Sequence, residues 1–242
     1  MYVGEPFEHL RAIGSVPQTD RLVLAVAADT GLTSYEDIKD QQYPLRISSE
    51  IDDGINGVGW GVARVFEAYG FSVDDLRTWG EGIVDAGGSP RNAIQAGIDG
   101  SADAVLHEAI MAPPWLTLTD TRAMRFLPIR ADILDQLTGD FFFESAVIPR
   151  GKFRGVFEDT PTLDWADFDI LVGAEMDESL AYTLAELLVE TWDVLEASYR
   201  HLAPERSPVS YPLNPYTTWK GVQVPLHSGA ERYYRQRGYM TD

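Results

Sequence analysis

The stretch that most constrains the fold runs from Leu45 to Tyr69, LRISSEIDDGINGVGWGVARVFEAY, because it spells strand, loop and helix in succession. Leu45 to Ile47 follow a Tyr43-Pro44 break and predict a strand. The polar, glycine-rich run from Ser48 to Gly57 is too hydrophilic to prolong it. Val58, Val62, Val65, Phe66 and Tyr69 then recur at i, i+4, i+7, i+8 and i+11, which sets them on one side of a helix packed against a sheet, and Gly70 ends that helix. In an open parallel α/β sheet, ligands sit beyond the carboxyl ends of the strands, where the free N–H groups of the next helix's first turn favour an anion. The Ser48–Gly57 loop has ten residues, whereas most strand-to-helix loops have about 2 to 6. Its length points to a binding loop, with a plain solvated connection as the alternative. A dinucleotide reading of Gly57, Gly59 and Gly61 fails, because Val62 stands where the third glycine belongs and the glycines do not follow the strand directly.

The flanking elements continue the pattern. Pro6 to Val16 is compatible with a short helix or an irregular packed arm, and Arg21 to Ala28 carries the continuous apolar run of a strand buried on both faces. Thr33 with Glu36 spells a capping box before a short helix through Lys39. After the organising helix, Phe71 to Leu76 holds a helical turn, Ser89-Pro90 starts a helix running to about Gly97, and Ala102 to Glu108 reads as a buried strand. This alternation implies a parallel sheet with right-handed crossovers. Pro113-Pro114 breaks the chain, Arg125 to Ile129 looks like a strand, and Ile133, Leu134 and Leu137 mark a helix stopped by Gly139. Phe141 to Ile148 is extended, and Asp169 to Ala174 is expected to return across the sheet. Asp177 caps the longest helix, with Leu180, Leu184, Leu187, Leu188, Thr191 and Leu195 as its packing face. Pro204 to Pro225 reads as a packed proline-rich wrap, and Ser228 with Glu231 caps a last helix that Gly238 stops.

Composition excludes several function classes. The chain has no cysteine, so thiolate catalysis, cysteine zinc sites and disulfides are out. Its 38 acidic and 19 basic residues give a formal charge of −19, which argues against nucleic acid as a partner, since a duplex binder needs a basic face. No apolar run approaches the roughly 20 residues of a membrane span, and Met1 to Glu5 carries neither the basic nor the apolar part of a signal peptide.

Few residues offer chemistry. His107 and Glu108 end a predicted strand beside the crevice but point to opposite faces, so they are not partners; each either touches a ligand or is a satisfied buried polar group. Ser89 and Arg91 form a second helix start at the same edge, where Arg91 could pair bidentately with a carboxylate. Ser48, Ser49 and Asn56 belong to the binding loop, and Trp60 and Trp79 could stack on a ligand or lie in the core. The four histidines lack metal-site spacing, and no serine sits in a nucleophile elbow, so no metal, cofactor or catalytic residue is expected.

The closing Val224-Pro225-Leu226-His227-Ser228-Gly229-Ala230-Glu231-Arg232-Tyr233-Tyr234-Arg235, the helix end Arg64 to Asp75, the strand Ala102-Asp103-Ala104 and the stretch Thr30-Gly31 to Ile38-Lys39 together resemble the TAXI family of TRAP-transporter solute receptors, relatives of the NMT1-like binding proteins. The resemblance implies an α/β fold like the type II periplasmic binding proteins, with a parallel-sheet ligand-binding lobe intact over residues 22–175. Residues 1–21 and 176–242 would form an incomplete second lobe and a C-terminal helical segment. It also implies a small organic anion as ligand, the permease subunits of a TRAP transporter as partners, and a periplasmic or extracellular location. The family's G-x-x-G-S-G-T ligand loop is replaced here by Ser48 to Gly57. The family's N-terminal half-lobe and signal peptide do not precede this segment, so a fragment, a shortened relative or half of a split receptor is expected. The alternative function is an enzyme on the same fold, a decarboxylase or hydrolase using His107 or Glu108 as acid or base.

Overall fold

The computed structural model describes residues 7–109, 113–166, 168–202 and 212–241. Pro6, at the head of the predicted arm, and residues 204–211 of the proline-rich wrap lie outside the described residues. The chain divides into two compact units, one spanning Asp20–Trp165 and one built from the residues up to Thr19 together with Ala166 onward.

Strand β1 (Leu10–Val16) belongs to the second unit. The first unit opens with β2 (Arg21–Ala27), buried along almost its whole length as its apolar run predicts. It continues through α1 (Tyr35–Asp40), β3 (Ile47–Ser49), α2 (Gly57–Ala68), α3 (Val73–Thr78), β4 (Ile83–Asp85), α4 (Pro90–Asp99), β5 (Ala104–Glu108), α5 (Pro113–Thr121), β6 (Met124–Leu127), α6 (Ala131–Phe141), β7 (Ser145–Ile148) and β8 (Thr160–Asp164). The strands form one sheet in the order β4-β3-β5-β2-β8-β7, with β6 also paired to β2. Only β4, β3 and β5 are parallel. β2 runs antiparallel to β5, β6 and β8, so the wholly parallel sheet expected from the alternation is corrected to a mixed one. A strand buried on both faces reads as the same apolar run whichever way its neighbours point, so direction is not written in that pattern.

Several boundaries shift for local reasons. The first capping box sits one residue later than Thr33 and Glu36: the Ser34 hydroxyl accepts the Asp37 N–H, and the Asp37 carboxylate takes the N–H groups of Thr33 and Ser34. The Thr33 hydroxyl donates to the same carboxylate at 2.7 Å, and that bond first, then the backbone N–H bonds, hold the Asp37 carboxyl below the usual aspartate range. β3 reaches into the polar run because Ser48 and Ser49 pair with Val84 and Asp85 of β4. Pro113-Pro114 opens α5 instead of breaking the chain, since proline lacks only a donor that the first helical turn leaves unused. α6 passes Gly139 and ends at Phe142, whose φ of 61° turns it left-handed. The core lies against α2, where Val62, Val65 and Phe66 pack on Leu22, Leu24, Ile47 and Leu106. Each such side chain contributes about 1.5–3 kcal/mol relative to exposure.

In the second unit β1 pairs antiparallel with β9 (Phe168–Gly173). Two expectations are corrected here: the Pro6 to Val16 arm contains a strand, and the Asp169 to Ala174 strand joins β1 instead of returning across the large sheet. α7 (Glu178–Glu190), α8 (Trp192–Tyr199) and α9 (Ser228–Gln236) complete the unit. The single long helix expected after Asp177 divides at Thr191, and its buried side is lined by Ala181 and Ala185. Leu180 and Leu187 of the predicted packing face stand half exposed. The small residues face α9, because Gly229 there approaches so closely that a Cβ would lie 2.1 Å from the Glu178 carbonyl oxygen.

The C-terminal motif is a packing device. Pro225 and His227 hydrogen-bond Ala12 of β1, Ala230, Tyr233 and Tyr234 are fully buried, and the Tyr234 hydroxyl donates to the Ile13 carbonyl at 3.2 Å. His227, not Ser228, caps α9: its Nδ1 accepts the Gly229 N–H at 3.2 Å and its Nε2 lies 3.1 Å from the Met176 carbonyl. Among the described residues no helix is long and apolar enough to cross a membrane.

Candidate functional site

The carboxyl ends of β3, β4 and β5 lie side by side, as parallel pairing requires, and each leads into a loop. After Ser49 the chain runs through Glu50 to Asn56, where the Asp53 carboxylate accepts the N–H groups of Ile55 and Asn56, which holds its own carboxyl below the usual range. The Asn56 side chain then accepts the Gly59 N–H at 2.9 Å and caps α2. The helix seats tightly, since a Cβ on Gly59 would fall 2.1 Å from the Ile51 carbonyl oxygen. β4 passes through Gly87 and Gly88, both at positive φ, to Ser89, whose hydroxyl accepts the Asn92 N–H and caps α4. β5 ends in His107 and Glu108.

A buried polar chain ties these three loops together. His107 Nδ1 accepts the Glu108 N–H at 2.9 Å, which leaves the ring hydrogen on Nε2, 3.1 Å from Glu50 Oε1. The other Glu50 oxygen accepts the Gly88 N–H. His107 and Glu50 are 2% and 4% exposed, so the bond between them is shielded from water. Next to it in sequence, Ser48 and Ser49 are fully buried and neither hydroxyl has a hydrogen-bond partner. Leaving such a group unsatisfied costs about 1–3 kcal/mol.

A second polar group lies where β2 begins, against the end of β5. Asp20 is fully buried; its Oδ1 accepts the Arg21 N–H at 2.7 Å while its Oδ2 has no partner. Burial, and then the Glu108 charge, push its carboxyl up to about 8, against the opposing pull of Arg21 and Lys152. Arg21 bonds Asp164 at 2.8 Å, and the Lys152 ammonium is held below the usual lysine value, first by burial and then by Arg21. Asp20, Glu50, Arg21 and Lys152 did not stand out in the sequence. Asp20, between Thr19 and Arg21, and Glu50, after two serines, read as surface residues, and only the register of β2 against β5 puts Asp20 near Glu108.

The predicted site residues divide accordingly. Ser48, Ser49, His107 and Glu108 gather at the ends of β3 and β5, and Asn56 and Ser89 cap the two helices that follow β3 and β4. Arg91 is exposed on the first turn of α4. Trp60 is buried with its ring 5.4 and 5.1 Å from Phe141 and Phe143, and Trp79 follows α3 with its ring 5.8 Å from Phe71. A cleft of about 310 Å³ opens beside the loop, walled among others by Glu50, Asp52, Arg64, Glu67, Asp74 and Arg77, and none of the nine predicted residues lines it. Its charges are already matched, Arg64 with Glu67 at 2.8 Å and Arg77 with Asp74 at 2.6 Å. Among the described residues no three His, Asp or Glu side chains gather as metal ligands.

The fold is thus a mixed α/β protein with a parallel core of three strands and a buried polar cluster at their carboxyl ends. Residues 1–238 match the model of the NMT1-like family, and the chain belongs to that family. It is also similar to the solved structure of the ferric binding protein from Campylobacter jejuni, with 13% sequence identity, a TM-score of 0.41, and coverage of 99% of this chain and 75% of that one.

Proposed function

We propose that this NMT1-like protein is a solute-binding protein without a catalytic step. It would capture a small organic acid outside the cytoplasm and deliver it to a permease, as in TAXI-type TRAP transport. The observation that carries this reading is the buried, unpartnered hydroxyl of Ser49 at the carboxyl end of β3, a group that a polar guest would satisfy; Ser48, its neighbour on the strand, points to the opposite face of the sheet. A carboxylate suits the surroundings. Both following helices present N-terminal amides at this edge, and Asp20, with its carboxyl pushed up to about 8, stays protonated at neutral pH and can donate an O–H instead of repelling an anion. Arg91 of α4 supplies a positive charge at the rim. The acid/base reading of His107 draws less support, because both ring nitrogens are engaged and the ring is buried.

Calorimetric titration with a panel of small mono- and dicarboxylates tests the proposal. One or more should bind, and affinity should fall by about tenfold per pH unit above the Asp20 value as that carboxyl ionises. Arg91→Ala should weaken binding by about tenfold or more, the loss of one charged hydrogen bond. No binding by any member, or turnover of the bound acid, would overturn it.

A further inference from the structure

Helices α7 and α8 carry apolar side chains that stand exposed among the described residues. Leu180, Leu187 and Val194 follow one another at intervals of seven residues and are 49%, 49% and 66% exposed. A seven-residue interval keeps a stripe straight along a helix and is the spacing by which one helix receives another. The stripe is separate from the buried side of α7, where Ala181 and Ala185 meet α9. The chain breaks its helix at Thr191, so Leu180 and Leu187 lie on α7 and Val194 on α8.

The charges beside the stripe specify what can cover it. From Glu178 to Tyr199 the chain has five acidic residues, Glu178, Glu186, Glu190, Asp193 and Glu196, and neither lysine nor arginine. Glu178 and Glu190 are paired with Arg232 and Arg237 of the α9 segment, whereas among the described residues Glu186 and Asp193 form no ion pair. Two copies of such a face would set carboxylates against carboxylates, and an anionic membrane would be repelled. An amphipathic helix whose apolar side is edged with lysine or arginine meets both requirements, the leucine ladder and the acidic rim.

We propose that the α7–α8 stripe is a docking surface for a basic amphipathic helix of another protein. The test uses the full chain and two synthetic helical peptides of about three heptads, alike in their leucines but rimmed with lysine in one and glutamate in the other. In fluorescence anisotropy the lysine peptide should bind at least about tenfold more tightly than its glutamate twin, and added salt should weaken it. The triple variant Leu180→Ser, Leu187→Ser, Val194→Ser, all at exposed positions, should keep its melting temperature and lose that binding by about tenfold or more. Glu186→Lys with Asp193→Lys should lower affinity for the lysine peptide while leaving the leucines in place. Equal binding of the two peptides, undiminished binding by the serine variant, or a concentration-dependent dimer that Leu187→Ser abolishes would each overturn the proposal.

Discussion

His107 Nε2 and Glu50 Oε1 lie 3.1 Å apart in an environment closed to water, and this one bond joins the end of β5 to the loop that leads into α2. Removing one member of a buried pair leaves the other without its partner. His107→Ala should therefore destabilise the protein by about 3 kcal/mol or more, read as a shift in the urea unfolding midpoint. Glu50→Gln should cost less, because glutamine still offers an acceptor to the Gly88 N–H or to the ring. A midpoint unmoved by His107→Ala would show that the bond does not hold the loops.

That bond also shows where sequence reading succeeds and where it stops. The α2 helix, the Ser89-Pro90 helix start and the β2 strand were legible because each is encoded locally, by apolar spacing or by a cap. Glu50 was not legible, although it adjoins Ser49, because its role depends on a residue 57 positions away. Asp20 escaped for the same reason. The leucine side of α7 misled for the opposite one: the pattern states that a helix has an apolar side, but Gly229 and Tyr233 of α9 fit against Ala181, Ala185 and Tyr182, and that fit decides which side is buried. Trp60 and Trp79 could be core or ligand platforms by sequence, and only their aromatic neighbours distinguish these.

Asp20 gives the stability a definite pH dependence. Its carboxyl is raised from 3.8 to about 8 in the folded protein, so between those values the folded chain keeps a proton that the unfolded chain releases. Stability is thus fully retained below pH 4 as far as this group is concerned, and is lost as pH rises toward 8, at up to about 1.4 kcal/mol per unit. Lys152, held below its usual value, has the opposite sign and regains stability with rising pH only in the lysine range. Asp20→Asn should flatten the slope between pH 5 and 8 and make the variant the more stable form at pH 8. Thermal melts across that range check it; parallel curves for the two proteins would assign the pH dependence elsewhere.

Two glycines in the first turn of α2 should answer oppositely to the same substitution. Gly59→Ala would drive a methyl group into the Ile51 carbonyl, 2.1 Å from the ideal Cβ position, and should cost about 1–3 kcal/mol through displacement of the loop. Gly57→Ala meets only the Trp165 ring at 4.0 Å and should stabilise the helix by about 0.5–1 kcal/mol. Urea titrations of both variants decide the matter. Equal effects would mean that α2 does not rest on its loop as described.

Ser49→Ala separates a binding hydroxyl from a structural one. A buried hydroxyl that served the fold would have a partner, and its removal would lower stability by about 1 kcal/mol. The Ser49 hydroxyl has none and lies fully buried at the strand end, so replacing it with a methyl group removes an unsatisfied polar group from the empty protein. The empty variant should therefore melt at the same temperature as the parent or above it. If a guest satisfies that hydroxyl, the variant should bind the guest about tenfold more weakly, since the lost bond is then a real one. Binding should therefore weaken with no loss of stability. A variant that melts lower and binds unchanged would make Ser49 part of the scaffold and move the site away from the end of β3.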